Sequence, residues 1–373
     1  MLVAQLADGQ YFMLQGDDQR HVLKKLRHEQ TFFCPQCQSP LLLKVGNIKI
    51  PHFAHQKHSS CEQAFSEGET TTHLLGKQQL FNHFQSQQLQ VSLEPTIPNF
   101  SQRPDLLITC NAQRFAIEFQ YSPIAHELFQ ARTDGYYEQH IKPIWLVNTP
   151  RAIVGAGIQK LTVTHFLQQF ITHYKELPVL MTYCPYRTRF FYAHSFLHVQ
   201  KNTFICVVDE LPIEQQRFPF LMPKKLTFER FCNLYALQQQ SVTSALRARF
   251  HYSRKGVQDL FLRYLYELRL ALEELPNFLK IPVVGCEHVG EIASGWQCGL
   301  FYFAQQLQKP VWLLTKREVQ LFLHYTNLPN TQQALTAFRN YMEVLKALDV
   351  RSLTQQVDDD VICNILYSQF IAK

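Results

Sequence analysis

The sequence predicts an α+β protein of 373 residues built from three regions. A small β-rich metal-binding module is expected over residues 1–65, an α+β domain over 66–210 and an α-helical domain over 211–373. More than one domain is expected because a single core rarely grows past about 250–300 residues. Periodic patterns in the middle region follow the order helix, three strands, helix, strand. Beyond residue 211 long amphipathic stretches replace the β-type runs, and they cover residues 226–249, 257–278, 287–307 and 331–348.

Composition is that of a soluble protein with a mild positive charge. Apolar residues make up 46% of the chain, charged residues 18%, and the net charge is +6, the sign that suits a polyanionic partner. No run of eighteen apolar residues is present, so no membrane span is predicted. The first residues lack the pattern of a secretory signal, and we expect a cytoplasmic protein. Ten scattered cysteines are therefore expected to be reduced, most of them as small buried side chains.

The middle region gives the clearest local patterns. Apolar residues at helical spacing predict one helix over residues 70–88, with Thr70, Thr71 or Thr72 as its cap. Alternating apolar residues then predict an antiparallel meander. Ser122 and Pro123 are typical of the N-cap and first residue of a second helix, which should run to His140. The further segments are expected to be strands at residues 89–94, 105–110, 114–120 and 144–147, a helix at 155–174, and sheet-extending strands at 179–184, 190–194 and 204–208.

Cysteine and histidine pairs dominate the first region. Cys34 and Cys37 are separated by two residues, and His52 and His55 have the same spacing on the far side of an expected hairpin of residues 41–45 and 48–50. Two such pairs can close a tetrahedral zinc site, which would stabilise a module with few long apolar elements. Cys61 is an alternative fourth ligand, and so is His58. In the opposing interpretation the histidines lie on the surface and the cysteines are idle.

Two acidic residues on adjacent predicted strands form the main candidate site. Asp105 follows Pro104 at the start of one strand, and Glu118 lies within the next. Strand alternation places Glu118 and Gln120 on one face, while Phe119 points into the core. Paired carboxylates hold Mg²⁺, which can activate a water for phosphodiester hydrolysis. Gln120 would orient that water or the phosphate.

This part of the chain resembles the PD-(D/E)XK phosphodiesterases, a restriction-endonuclease-like fold. Their core is helix, three antiparallel strands, helix, strand, and their signature is Pro-Asp followed by Asp/Glu-x-Lys. The resemblance covers roughly residues 66–150. Gln120 stands where that family has lysine. His73 and Lys77, one turn apart on the first helix, are candidates to replace the missing cation.

The same elements, taken in order, resemble the competence protein CoiA family. The resemblance implies a cytoplasmic role in natural transformation of low-GC Gram-positive bacteria, on incoming single-stranded DNA or recombination intermediates. It extends to about residue 210. The elements that carry it are Cys34-x-x-Cys37 with His52-Phe-Ala-His55, His73-x-x-x-Lys77, Arg103-Pro-Asp105, Ala116-Ile-Glu118-Phe-Gln120-Tyr-Ser122 and Phe129-x-x-Arg132-x-x-x-Tyr136.

Accessory roles at this site are assigned to flanking residues. Glu94 is the first choice for a further magnesium ligand because its strand precedes that of Asp105, with Glu67 and Glu69 as alternatives. Arg103 and Arg132 are expected to contact DNA phosphates. Arg132 could instead pair with the carboxylates or be solvated.

The sequence thus predicts a magnesium-dependent deoxyribonuclease with a structural zinc module. The rival hypothesis is a DNA- or recombinase-binding transformation factor that cuts weakly or not at all, and a third is a zinc scaffold that does not bind nucleic acid. The basic and aromatic run at residues 245–255 is interpreted as a solvated helix face, with DNA or partner binding left open. Recombination proteins are possible partners. The type of DNA substrate, the polarity of cutting and the oligomeric state stay open.

Overall fold

The computed structural model describes residues 1–16, 18–56, 70–254 and 256–371. Five positions considered above lie outside these ranges: His58, Cys61, Glu67, Glu69 and Lys255. No helix of the described residues is long and apolar enough to cross a membrane.

The N-terminal region forms an antiparallel five-stranded sheet and one helix, in the order β2-β1-β3-β4-β5. Strand β4 is confirmed within one residue, but Ile48 to Ile50 is not its partner. β4 pairs instead with a later strand, and the Ile48 side chain is 95% exposed, so it contributes nothing to the core. The elements are β1 (Val3–Leu6), β2 (Tyr11–Met13), α1 (Arg20–Glu29), β3 (Phe32–Phe33), β4 (Pro40–Lys44) and β5 (His52–His55).

The middle region contains a mixed sheet in the order β10-β14-β13-β12-β9-β8-β7-β6, with β11 paired to β12. The predicted meander is confirmed, because β6, β7 and β8 pair antiparallel in succession and β9 lies parallel to β8. The elements are α2 (Thr71–Ser86), β6 (Gln90–Leu93), β7 (Leu106–Cys110), β8 (Gln113–Gln120), α3 (His126–Glu138), β9 (Ile141–Asn148), β10 (Gly157–Thr162), α4 (His165–Gln168), β11 (Ile171–Tyr174), β12 (Leu177–Cys184), β13 (Arg189–Gln200) and β14 (Thr203–Pro212).

One predicted element of this region was wrong, and a second was right except for its start. The helix expected over residues 155–174 is instead strand, short helix and strand, because β10 pairs with β14 over its full length and cross-strand pairing overrides local helical spacing. The second helix begins at His126 with Ala125 as its N-cap, not at Ser122. The carbonyl of Ser122 accepts a hydrogen bond of 2.6 Å from Nε2 of Gln120.

The region after residue 212 is helical, as predicted. Helices α5 and α9 match their expected ranges closely, α6 and α7 are shorter, and α8 and α10 were not predicted. Cys232 on α5 and Cys363 on α10 form a disulfide, which corrects the expectation that the cysteines are all reduced. The helices are α5 (Phe228–Tyr252), α6 (Leu260–Glu267), α7 (Ala293–Gln306), α8 (Lys316–Thr326), α9 (Gln332–Ala347) and α10 (Asp359–Phe370).

One cluster of buried apolar side chains extends through all three regions, from Met1 before β1 to Ile371 after the last helix, and two smaller clusters lie in the middle region. The division at residues 65 and 210 therefore stays a prediction. Helix α2 lies close against β8 because Gly76 has no side chain. A Cβ at Gly76 would lie 2.3 Å from the ring of Phe119. This close contact brings the polar face of α2 to the open end of the meander.

Candidate active site

Pairing of β7 with β8 brings Asp105 and Glu118 together. Leu106 at the start of β7 pairs with Ile117, so the residue before Leu106 lies opposite the residue after Ile117. The backbone N–H of Phe119 donates a hydrogen bond of 2.9 Å to Oδ2 of Asp105. The two predicted carboxylates therefore lie at one end of the meander, on neighbouring strands.

Helix α2 supplies two cationic or polar partners to Asp105. Thr70 caps this helix by accepting from the backbone N–H of His73, as predicted. His73 and Lys77 are one turn apart and face the sheet. Nε2 of His73 lies 3.2 Å from Oδ2 of Asp105, and Nζ of Lys77 lies 3.4 Å from Oδ1. Burial alone would raise the pKa of Asp105, but the charges of His73 and Lys77 outweigh it, and this pKa lies below its ordinary value.

Glu118 is held by two side chains of helix α3. Arg132 and Tyr136, again one turn apart, both donate to its Oε1 atom. Only 4% of Glu118 is exposed. Burial raises its pKa above the ordinary value, the charge of Asp105 adds to the rise, and Arg132 opposes it. The hydrogen bond from Tyr136 was not predicted, although its spacing of four residues from Arg132 was the available signal.

Glu94, the predicted accessory magnesium ligand, accepts hydrogen bonds from four donors. Its Oε1 accepts from Lys77, and its Oε2 accepts from Arg103 at 3.2 Å. Oε2 also accepts from the backbone N–H groups of Leu2 and Val3 at 3.0 and 3.2 Å. Both oxygens of Glu94 thus accept from donors of the described residues, and its role as a magnesium ligand stays a prediction. These bonds join the N-terminal sheet to helix α2.

Arg103 and Arg132, both predicted to contact DNA phosphates, are turned inward. The side chain of Arg103 is 13% exposed and pairs with Glu94, and that of Arg132 is 15% exposed and pairs with Glu118. A buried carboxylate requires a counter-charge, which explains both positions. Gln120 follows Glu118 on the same face and donates from Nε2 to the Ser122 carbonyl, so its contact with a water or phosphate stays a prediction.

The N-terminal sheet carries a second cluster. Sγ of Cys34, Sγ of Cys37 and a ring nitrogen of His55 all lie within 4.8 Å of one another, the arrangement that three ligands of one metal ion adopt. His52 is outside that group. It lies three residues earlier on β5, where alternation turns it to the opposite face, and its Nδ1 bonds the Ile50 carbonyl at 2.9 Å. The alternative ligand Cys61 lies outside the described residues.

Comparison with known protein families shows which family the chain belongs to. A domain model described as Competence protein CoiA, nuclease-like domain, matches residues 69–226. A second, described as Competence protein CoiA, N-terminal domain, matches residues 15–64, and the two together cover more than half of the chain. The chain belongs to the competence protein CoiA family. The nuclease-like CoiA domain holds Asp105, Glu118 and their partners, and the N-terminal CoiA domain holds the Cys34 cluster.

One CoiA relative supports the same assignment. The Competence protein CoiA of Bacillus subtilis (strain 168) is 34% identical over 207 residues, which are 55% of this chain and 53% of that protein. The match thus spans about half the length of the relative. No solved structure matches the chain. Residues 227–373 fall outside both CoiA domain models.

Proposed function

We propose that this protein is a metal-dependent deoxyribonuclease that acts during natural transformation. The observation that carries the proposal is the Asp105–Glu118 pair on neighbouring strands, with Lys77 beside Asp105. Membership of a competence family with a nuclease-like domain supports the biological setting. Incoming single-stranded DNA or recombination intermediates are the proposed substrates.

The donor set fits Mg²⁺, which prefers a few carboxylate oxygens and several waters. Among the described residues, both side-chain hydrogen bonds to Glu118 go to its Oε1 atom, so its Oε2 atom is left to bind a metal ion. In Asp105 the N–H of Phe119 and the ring of His73 engage Oδ2, while Oδ1 faces Lys77. Asp105 and Glu118 would hold the ion. Bound there, it would polarise the phosphate and lower the pKa of a water.

The order of elements supports a PD-(D/E)XK-type core for this domain. Helix α2, the meander β6 to β8, helix α3 and the parallel strand β9 follow one another as that resemblance implies. In such a core a lysine normally follows the second carboxylate on its strand. Here Gln120 occupies that position, and Lys77 reaches Asp105 from α2 instead.

Each residue of the site then has a role in phosphodiester hydrolysis. His73 and the N–H of Phe119 fix the orientation of the Asp105 carboxylate by bonding Oδ2. His73 and Lys77 together keep Asp105 ionised, and Lys77 would place a positive charge next to the anionic phosphate. Arg132 and Tyr136 hold Glu118 in one rotamer. Gln120 would align the attacking water.

The proposal is tested by incubating purified protein with labelled single-stranded, duplex and branched DNA in Mg²⁺, Mn²⁺ or EDTA. We expect cleavage in either metal and none in EDTA. Glu118→Gln should lose cleavage, because the amide still accepts from Arg132 but binds metal poorly. Glu138→Gln, at an exposed position near the end of α3, is the matched control. Binding of every substrate without cleavage would favour the rival, a transformation factor that binds DNA.

A structural zinc ion is proposed at the second cluster. Two thiols and an imidazole are zinc ligands by type, and Cys34, Cys37 and His55 lie within reach of one ion. Burial raises the pKa of the Cys34 thiol, so that thiol is protonated at neutral pH unless a cation is bound. The fourth ligand would be a water or a residue outside the described ranges.

Elemental analysis of the purified protein is expected to find about one zinc per chain. Cys37→Ala should remove most of that zinc and lower the melting temperature, because metal binding contributes directly to the stability of a small module. Cys110→Ala is the control, since Cys110 is a partly exposed free cysteine at the end of β7. Equal zinc content in both variants would exclude the site.

A further inference from the structure

Helix α5 ends in three consecutive exposed rings, those of Phe250, His251 and Tyr252. We call Arg247, Phe250, His251, Tyr252 and Arg254 the α5 aromatic face. Phe250 is 51% exposed and Tyr252 is 81% exposed. The rings are neighbours, with centroids 5.5 Å apart for Phe250 and His251 and 6.4 Å apart for His251 and Tyr252. Such rings in water form a surface on which other planar groups can stack.

The α5 aromatic face is held in place from its inner side. Arg249, in the same turn, points inward and forms ion pairs of 2.7 Å with Asp259 and with Glu291. Asp259 is also the N-cap of helix α6. The end of α5 is therefore fixed to α6 and to the start of α7. Rings on a fixed helix end lose little conformational entropy when a ligand stacks on them.

The charge of this surface is positive. Arg247 lies one turn before Phe250 and His251 on the same side of α5, and Arg254 follows the helix end. Both arginines are exposed, and no carboxylate of the described residues lies within 4.0 Å of their guanidinium groups. Exposed rings flanked by arginines that have no carboxylate partner among the described residues suit a polyanion that has planar bases.

We propose that the α5 aromatic face binds single-stranded DNA outside the nuclease site. This inference rests on the proposed function in so far as that function makes DNA the substrate. Bases of a single strand are free to stack on Phe250 and Tyr252, whereas in a duplex they are already stacked on each other. Arg247 and Arg254 neutralise the adjacent phosphates. The face thereby retains a strand while Asp105 and Glu118 cut it.

Fluorescence anisotropy of a labelled thymidine homopolymer of about 15 nucleotides, titrated with the full chain without added Mg²⁺ or Mn²⁺, measures the binding. The double variant Phe250→Ala/Tyr252→Ala should weaken binding at least about tenfold, since each stacked base contributes substantially. Arg254→Gln should weaken it less and reduce the dependence of affinity on salt. Tyr325→Ala, at a position 75% exposed on α8, is the matched control and should change nothing. Melting curves confirm that the variants fold.

A second assay separates failure of this inference from failure of the proposed nuclease. All variants are assayed with Mn²⁺ on a small chromogenic phosphodiester, which is too short to reach the α5 aromatic face. Unchanged DNA affinity in the double variant overturns the inference and leaves the nuclease untouched. Weakened DNA affinity in the double variant upholds the inference, even if the wild type hydrolyses no phosphodiester. A duplex that binds as tightly as the single strand, with the same sensitivity to the variants, also overturns it.

Discussion

Asp105→Asn is expected to reduce the rate of metal-dependent DNA cleavage by at least about a thousandfold, or roughly 4 kcal/mol of transition-state stabilisation. The asparagine side chain has the same shape and can still accept the N–H of Phe119. What it loses is the negative charge that attracts Mg²⁺. The loss should therefore appear in catalysis, with little change in structure.

Single-turnover cleavage over a range of Mg²⁺ concentrations measures this effect. If Asp105 binds the metal, high Mg²⁺ or Mn²⁺ should recover part of the lost rate, and DNA binding without added Mg²⁺ or Mn²⁺ should stay unchanged. Asp134→Asn is the control, because Asp134 is an exposed aspartate on α3 that bonds only Gln130 among the described residues. Cleavage by Asp105→Asn within a few-fold of wild type would remove Asp105 from the site.

The part of the site that depends on local sequence patterns could be predicted from the sequence. Alternation in the strands placed Glu118 and Gln120 on one face, and the short turn between β7 and β8 made those strands adjacent. Helical spacing put His73 and Lys77 on one side of α2. Because strand pairing between close neighbours and helix periodicity are local properties, these positions could be inferred from the residues alone.

The contacts that were missed join residues far apart in sequence. Glu94 bonds the backbone of Leu2, and no local pattern links positions separated by 92 residues. The strand β10 is defined by its pairing with β14, more than forty residues later. The disulfide of Cys232 with Cys363 is similarly remote. The sequence could not decide whether Arg132 pairs with a DNA phosphate or with a carboxylate, because its environment depends on how closely α3 packs on the sheet.

Lys77→Met is expected to impair cleavage about a hundredfold and also to destabilise the protein. Lys77 is 1% exposed and lies between Glu94 and Asp105. Removing the cation leaves two buried carboxylates with less compensation, which costs about 3 kcal/mol of stability. The pKa of Asp105 should rise toward its ordinary value, because the charge of Lys77 is one cause of its depression. A protonated Asp105 binds metal less well.

The variant Glu94→Gln separates the loss of cleavage expected for Lys77→Met from its loss of stability. This variant removes one charge of the same buried network but leaves Nζ of Lys77 within reach of Oδ1 of Asp105, at 3.4 Å in the wild type. The amide oxygen of glutamine can still accept from Leu2 and Val3. Denaturant unfolding should therefore place both variants below wild type, while cleavage at a temperature where both are folded falls sharply in Lys77→Met alone. Equal losses of cleavage in the two variants would mean that Lys77 acts only through stability, and the cation of the site would then have to be sought elsewhere.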